Sequence, residues 1–384
     1  MTAYASTLDF PPLFKWLSKL RFIQPVRAQF PRWAQTGGWP WFGPAAIDDH
    51  LMPWGRSGLG KRHGKGPPFM PPSDRPTGSL FHHIPVLLDE VLAALDPGPG
   101  KLILDGTLGG GGHSEALLKL GARVIGMDQD HDALKAASQR LEPFGDQFCA
   151  LHGNFRHFPD ILSEIGISGL DGILVDLGVS SHQLDEPSRG FSFQKDGPLD
   201  LRMDPSSGRP ASDLINTAGV EELTRVFREF GEEPRAWQIA NVIVKARAAR
   251  PLTRTLELAD LIAKNSPPRG KRHPATLVFQ ALRIAVNDEL CALQELLQNA
   301  PRWLKPGGRL AVITFHSLED RIVKHTLQFL ATKELDRPEW PAPRPNPEHC
   351  LRLLSRKPID PTAEEIAGNP RARSARLRAA ERLA

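Results

Sequence analysis

Cysteine is scarce in this 384-residue chain: Cys149, Cys291 and Cys350 make up the whole set, and no two form a C-x-x-C pair. That argues against a disulfide framework and a zinc knuckle, and it fits a reducing cytoplasm. Long apolar runs are also missing. No stretch approaches the roughly 20 apolar residues needed to span a bilayer, so neither a membrane nor a metal is expected as a partner. The 40% of residues that are apolar still suffice for a globular core. Two nucleotide-binding signatures fail as well. G-x-G-x-x-G breaks at its third glycine, since Gly109-x-Gly111 leads to Ser114 and Gly110-x-Gly112 leads to Glu115. The P-loop breaks because Gly112 and His113 follow Gly111 where Lys and Ser/Thr belong.

What is present is a short apolar run, Leu102–Leu104, that ends in Asp105 and opens into a loop with five glycines in seven positions, 106–112. A helical pattern follows over Ser114–Leu120. Strand, glycine loop and helix in that order build a nucleotide site at the carboxyl edge of a parallel sheet, where glycines let backbone approach a ligand. A second strand, Arg123–Asp128, ends in another acid that can hold ribose hydroxyls. An acid before a wide glycine loop suits a cationic amino-acid ligand better than a pyrophosphate. S-adenosylmethionine is therefore the expected cofactor.

Helix is predicted over His83–Leu95 and His131–Leu141, and strand over Phe148–Leu151, Asp171–Val179 and Arg309–Phe315. Strands alternating with helices at this pitch predict an α/β fold with a mostly parallel sheet. Ser180–Pro210 reads as a long polar loop, Ala211–Ser266 and Ala275–Leu304 as helical, and Cys350–Ile359 as the last strands. The expected organisation is a sheet domain over 81–190 and 275–384, with an inserted helical substrate-recognition lobe over 191–274. Residues 1–80 hold ten Lys/Arg against four Asp/Glu and five of the eight tryptophans, without a sustained period. They read as a largely disordered basic arm. Basic clusters at Lys245–Arg272, including Lys271 and Arg272, and at Arg371–Arg382 suit a polyanion such as RNA.

Several longer motifs converge. HIPVLLDEV, DGTLGGGGHS, DGILVDLGVSS, RGFSF, HPAT, the VN-x-EL run, FHSLEDRIVK and NPRARSA together resemble the bacterial 16S ribosomal RNA cytosine-N4 methyltransferases, from Phe81 to the C-terminus. The resemblance implies a class I methyltransferase, Rossmann-like sheet with an inserted helical lobe. It also implies S-adenosylmethionine as methyl donor and a decoding-region cytidine of 16S rRNA, within the small ribosomal subunit, as substrate. Homodimerisation is compatible with it. Carried over by motif, the cofactor contacts are Gly111, Gly112, His113, Asp128, Phe155, Asp176 and Gln183. Residues 1–80 lie outside the resemblance.

The chemistry of these residue types agrees. Asp128 can accept from two ribose hydroxyls and Phe155 can lie against adenine. Cytosine N4 delocalises its lone pair into the ring, so it needs positioning and hydrogen-bond acceptors to attack an activated methyl group. Methylation at carbon 5 would need a cysteine nucleophile, and none lies on a strand-four or strand-five loop. The D/N/S-P-P-Y/F/W tetrad of many amino-group methyltransferases is absent after strand four, where the chain reads Asp176-Leu-Gly-Val-Ser180-Ser181. Asp176 and His316 are then the catalytic candidates. A methyltransferase of the same fold acting on another RNA or a protein is the alternative, and a non-catalytic RNA-binding module would not need acids at three strand ends.

Overall fold

A computed structural model describes residues 85–384, apart from 267–272, 337 and 339. The expected arm over 1–80 and the RNA-contact candidates Lys271 and Arg272 lie outside the described residues. Five parallel strands carry the fold: β1 (Leu102–Asp105), β2 (Arg123–Asp128), β3 (Phe148–His152), β4 (Leu170–Asp176) and β5 (Leu304–Thr314). Two late strands, β6 (Leu351–Leu353) and β7 (Arg376–Arg382), complete a seven-stranded sheet ordered β3-β2-β1-β4-β5-β7-β6. Only β7 runs against the others, antiparallel to both β5 and β6. This is the class I methyltransferase arrangement that the motifs imply.

The strands are buried on both faces, which explains their continuous apolar runs. Ile103, Leu174, Ala311 and Ile313 face a core shared with α1 (Leu88–Leu95), α2 (Gly112–Lys119) and α3 (His131–Leu141). Their neighbours Leu104, Ile173, Val175, Leu310 and Val312 face a second core with α4 (Phe158–Glu164), α11 (Glu289–Trp303) and α12 (Ser317–Ala331). One helix starts later than expected: α1 begins at Leu88 because Leu87 sits in the left-handed region at φ 54°.

Between β4 and β5 the chain adds α5 (Ser181–Asp185), α6 (Ala211–Thr217), α7 (Val220–Glu229), α8 (Ala236–Arg247), α9 (Thr255–Asn265) and α10 (Thr276–Asn287). A third apolar cluster runs from Phe191 to Leu282 and draws on α10 as well as α6–α9. The helical face of α10 therefore continues the lobe past the boundary expected at 274. No helix among the described residues is long and apolar enough to cross a membrane.

Two readings need correction. The segment 180–210 is not a loose polar loop: Leu199 N–H donates to Thr253 O, Thr255 N–H to Gly197 O, and Gly197 N–H to Thr255 Oγ1. A Cβ on Gly197 would lie 1.8 Å from the Pro187 carbonyl oxygen. Gly197→Ala should therefore cost about 2–4 kcal/mol of stability, since backbone must move to admit one methyl group. Its denaturation midpoint against that of the parent protein checks this. The arginine-rich tail is also not a free basic patch from Arg376 onward. Arg378 is buried in β7 and holds Asp320 at 2.6 and 3.2 Å, while Arg382 donates to the Leu304 and Pro301 carbonyls. In Lys245–Arg272, Arg250 pairs with Glu257, Arg254 pairs with Asp196, and Arg247 donates to the Ile215 and Ala218 carbonyls.

Candidate active site

Parallel register lines up the strand ends. Asp105 lies beside Gly126, Asp128 beside His152, and Asp176 beside Ile313, so three acids finish strands along one edge of the sheet. A cavity of about 570 Å³ opens there, walled by the glycine loop, the ends of β2 and β4, the 177–184 turn, α10 and the start of α12.

The glycine loop is shaped by the acids around it. Gly111 caps α2 in the left-handed region at φ 75°, a conformation that favours glycine. Gly109 N–H donates to Asp128 Oδ2 at 2.8 Å. Asp105, only 2% exposed, accepts from Ser114 Oγ at 2.7 Å and Thr107 N–H at 3.2 Å. Thr107 Oγ1 in turn accepts from Asp176 N–H at 2.6 Å, which ties the loop to β4. Burial pushes the Asp105 carboxyl up to about 6.

The structure sorts the expected cofactor residues. Gly112, His113, Asp128, Phe155, Asp176 and Gln183 all line the cavity. Gly111 does not; it packs against Ala137 and Leu141, and Gly109 and Gly110 line the wall instead. Asp128 Oδ1 accepts from Asp130 N–H at 2.9 Å, leaving lone pairs on both oxygens for ligand hydroxyls. Burial pushes Asp128 up to about 6 as well. His113 Nε2 donates to Val86 O at 2.9 Å, so Nδ1 is the acceptor. Burial lowers His113 to about 4 and keeps it neutral, so its approach to Asp176, 3.8 Å from Nδ1 to Oδ2, is not an ion pair. The amide of Gln183 is largely committed: Nε2 donates to Asp130 Oδ2 at 2.9 Å, and Oε1 accepts from Ser180 N–H. Asp130 also takes the buried Arg189 at 2.7 Å, which pins the 180–210 segment against α3.

Asp176 stands apart. Its Oδ1 is buried without a hydrogen-bond partner. Burial, together with the charges of Asp105 and Glu319, raises its carboxyl well above the usual range.

The two catalytic candidates separate here, because Asp176 lines the cavity and His316 does not. His316 caps α12: its Nδ1 accepts from Glu319 N–H at 3.4 Å, while Glu319 Oε2 accepts from the Phe315 and His316 N–H groups at 2.8 and 3.2 Å. Sequence reasoning missed three charged groups that do line the cavity, Arg283, Glu289 and Glu319. Arg283 grips Glu289 through two bonds of 2.9 Å and reaches 3.9 Å from Glu319 Oε1. All three stand inside the VN-x-EL and FHSLED neighbourhoods, so the signal was there. An arginine within a helix and an acid in a first helical turn have ordinary structural explanations, and only the fold brings them together.

The profile of the MraW methylase family matches residues 80–383. The ribosomal RNA small subunit methyltransferase H of Carboxydothermus hydrogenoformans is 50% identical over 306 residues, spanning 79% of this chain and 98% of that protein. The protein of the same name from Trichlorobacter lovleyi is 52% identical over 309 residues, spanning 79% of this chain and 99% of that one.

Proposed function

Because the chain belongs to the MraW methylase family, we propose that it moves the methyl group of S-adenosylmethionine to N4 of a cytidine in 16S rRNA. The substrate in this reading is the decoding region of the small ribosomal subunit, in the cytoplasm. The carrying observation is the cavity at the strand ends, lined both by Asp176, with its unpartnered buried oxygen, and by the hydrogen-bonded Asp128.

The residues suit such a cofactor. Asp128 offers lone pairs to two ribose hydroxyls, as a nucleoside requires. Phe155, 9% exposed, gives a flat apolar wall for a purine. An uncompensated acid is what a cationic methyl donor needs nearby, and Asp176 supplies it. When bound, S-adenosylmethionine contributes a methyl carbon already activated by positive sulfur.

The chain's own residues then have distinct tasks. The glycine loop and Asp128 set the depth and orientation of the nucleoside. Asp176 steadies the positive charge that develops on the cytosine amine as it attacks, an electrostatic role for a side chain only 17% exposed. His316 acts through Glu319, whose backbone N–H it caps. The 191–274 lobe and its remaining surface cations, Lys245 and Lys264 among them, form the RNA-facing surface in this reading. Lys271 and Arg272 belong to the same proposal.

Purified protein with methyl-labelled cofactor should label assembled small subunits, and label a short free oligonucleotide of matching sequence far more weakly. Equal labelling of the two would contradict recognition of the subunit. Labelling of a protein component instead would move the substrate class.

A further inference from the structure

Two carboxylate oxygens in the cavity residues have no hydrogen-bond partner: Asp176 Oδ1 and Glu319 Oε1. Glu319 is 2% exposed, so the unused oxygen has no water to compensate it. The remaining contacts of Glu319 fix the side chain firmly. Oε2 is held by two backbone N–H groups at the turn from β5 into α12. Oε1 is left with two neighbours that attract it without a hydrogen bond. These are His316 Nε2 at 3.0 Å, poorly aligned for one, and Arg283 Nη2 at 3.9 Å.

A metal ion is one occupant such a cluster suggests, since donor atoms of Glu289, His316 and Glu319 lie within 4.8 Å of one another. Both oxygens of Glu289 are already taken by Arg283. A cation bound there would sit against that guanidinium and have to displace it. The cluster instead fits a proton acceptor, with a carboxylate oxygen left unpartnered in a residue of the cavity wall, a guanidinium 3.9 Å from it and an imidazole beside it.

Resting on the cytosine-amine chemistry proposed above, we propose that Glu319 is a catalytic residue that accepts the N4 proton during methyl transfer. As the amine nitrogen bonds to the methyl carbon, the carbon–sulfur bond breaks and its electron pair stays on sulfur, leaving a neutral thioether. The nitrogen, now positive, loses one proton to Glu319 Oε1, and the methylated base is neutral. The carboxylic acid so formed gives that proton up to solvent as the methylated product leaves, which restores the carboxylate. One proton is released for each methyl group transferred.

The division of labour between the two acids has a physical basis. Burial and its acidic neighbours push Asp176 up. Burial also works against Glu319, but the His316 ring, the Arg283 guanidinium and the Phe315 N–H outweigh it and hold Glu319 below its ordinary value. Glu319 is therefore ionised at neutral pH. A weakly basic carboxylate is sufficient here, because an aromatic amine that has just gained a methyl group is a strong acid.

The test is Glu319→Gln, whose amide oxygen can keep the α12 cap while its NH₂ replaces the acceptor in the cavity. Single-turnover methylation of small subunits at saturating cofactor should fall by at least about 30-fold, with calorimetric cofactor affinity within about threefold. A normal rate would overturn the proposal. If E319Q does not hold its fold by thermal melting, Glu319→Asp replaces it, keeping charge and capping ability while drawing the carboxylate back from the cavity. That variant should lose at least about tenfold, and an unchanged rate there would overturn the proposal equally. The parent protein is assayed alongside. If it makes no N4-methylcytidine, the underlying function is wrong, and that failure is distinct from a failure of Glu319.

Discussion

Asp176→Asn is expected to slow single-turnover methyl transfer by about 100-fold or more while weakening cofactor binding by less than about tenfold. The substitution keeps the shape of the side chain and removes the charge. Among the described residues no cation partners that carboxyl: Oδ1 is unpartnered, and His113, 3.8 Å from Oδ2, is held neutral by burial. An acid kept in that state loses stabilisation for no structural return, which marks it as held for a positive partner. The cofactor carries positive charge throughout, so the loss in affinity is real but limited. The cytosine amine becomes positive only in the transition state, so the larger loss falls on the chemical step. Comparable losses in affinity and rate would confine Asp176 to cofactor binding. The search for charge stabilisation would then move to the Ser180–Ser181 turn.

The second large effect is on pH dependence. Burial raises Asp105 and Asp128 from ordinary aspartate values to about 6, and burial with the neighbouring acids raises Asp176 as well. Because the folded-state values lie above the unfolded ones, the stability these groups contribute is present below about pH 4. It is lost as pH rises through about 6, where the carboxyls must ionise inside the protein. A cationic ligand, with hydroxyls that donate to Asp128, favours the ionised forms and reverses that loss. Cofactor affinity should therefore weaken by roughly tenfold or more as pH falls from 7.5 to 5.5, because protons compete with the ligand. Binding near pH 6 should release protons, which calorimetry in buffers of different ionisation enthalpy detects. The uncharged thioether product should keep the part of the trend that belongs to Asp128 and lose much of the part that belongs to Asp176. A dissociation constant flat across this range would show that these acids are not neutralised by the ligand.

Much of the sheet was legible because its physics is local. Leu102–Asp105, Arg123–Asp128 and Leu170–Asp176 are apolar runs closed by an acid, and the acid marks where each strand leaves the core. The glycine loop announced itself by composition, although the wall proved to be Gly109, Gly110 and Gly112, with Gly111 turned inward as a cap. The tail was misread because its charges hide a strand. In RLRAAER the arginine at 378 is buried, and Asp320 on α12, 58 residues earlier, makes that tolerable. A partner so distant leaves no trace in the local pattern. The same holds for Arg283, Glu289 and Glu319. Each is unremarkable in its own helix, and they meet only because α10 and the start of α12 converge on the edge where β4 and β5 end. His316 drew attention as a titratable residue just past the end of strand five, yet its side chain turns back to cap α12 and leaves the cavity to Glu319.

The most direct measurement of the central claim is the position of the transferred methyl group. Small subunits lacking the modification are incubated with the protein and methyl-deuterated S-adenosylmethionine, then digested to nucleosides and fragmented by tandem mass spectrometry. The account predicts a single deuterated product whose base fragment is N4-methylcytosine, and no label when Asp128→Ala and Asp176→Asn are combined. Label at carbon 5 of the base, on a ribose, or on a ribosomal protein would contradict it.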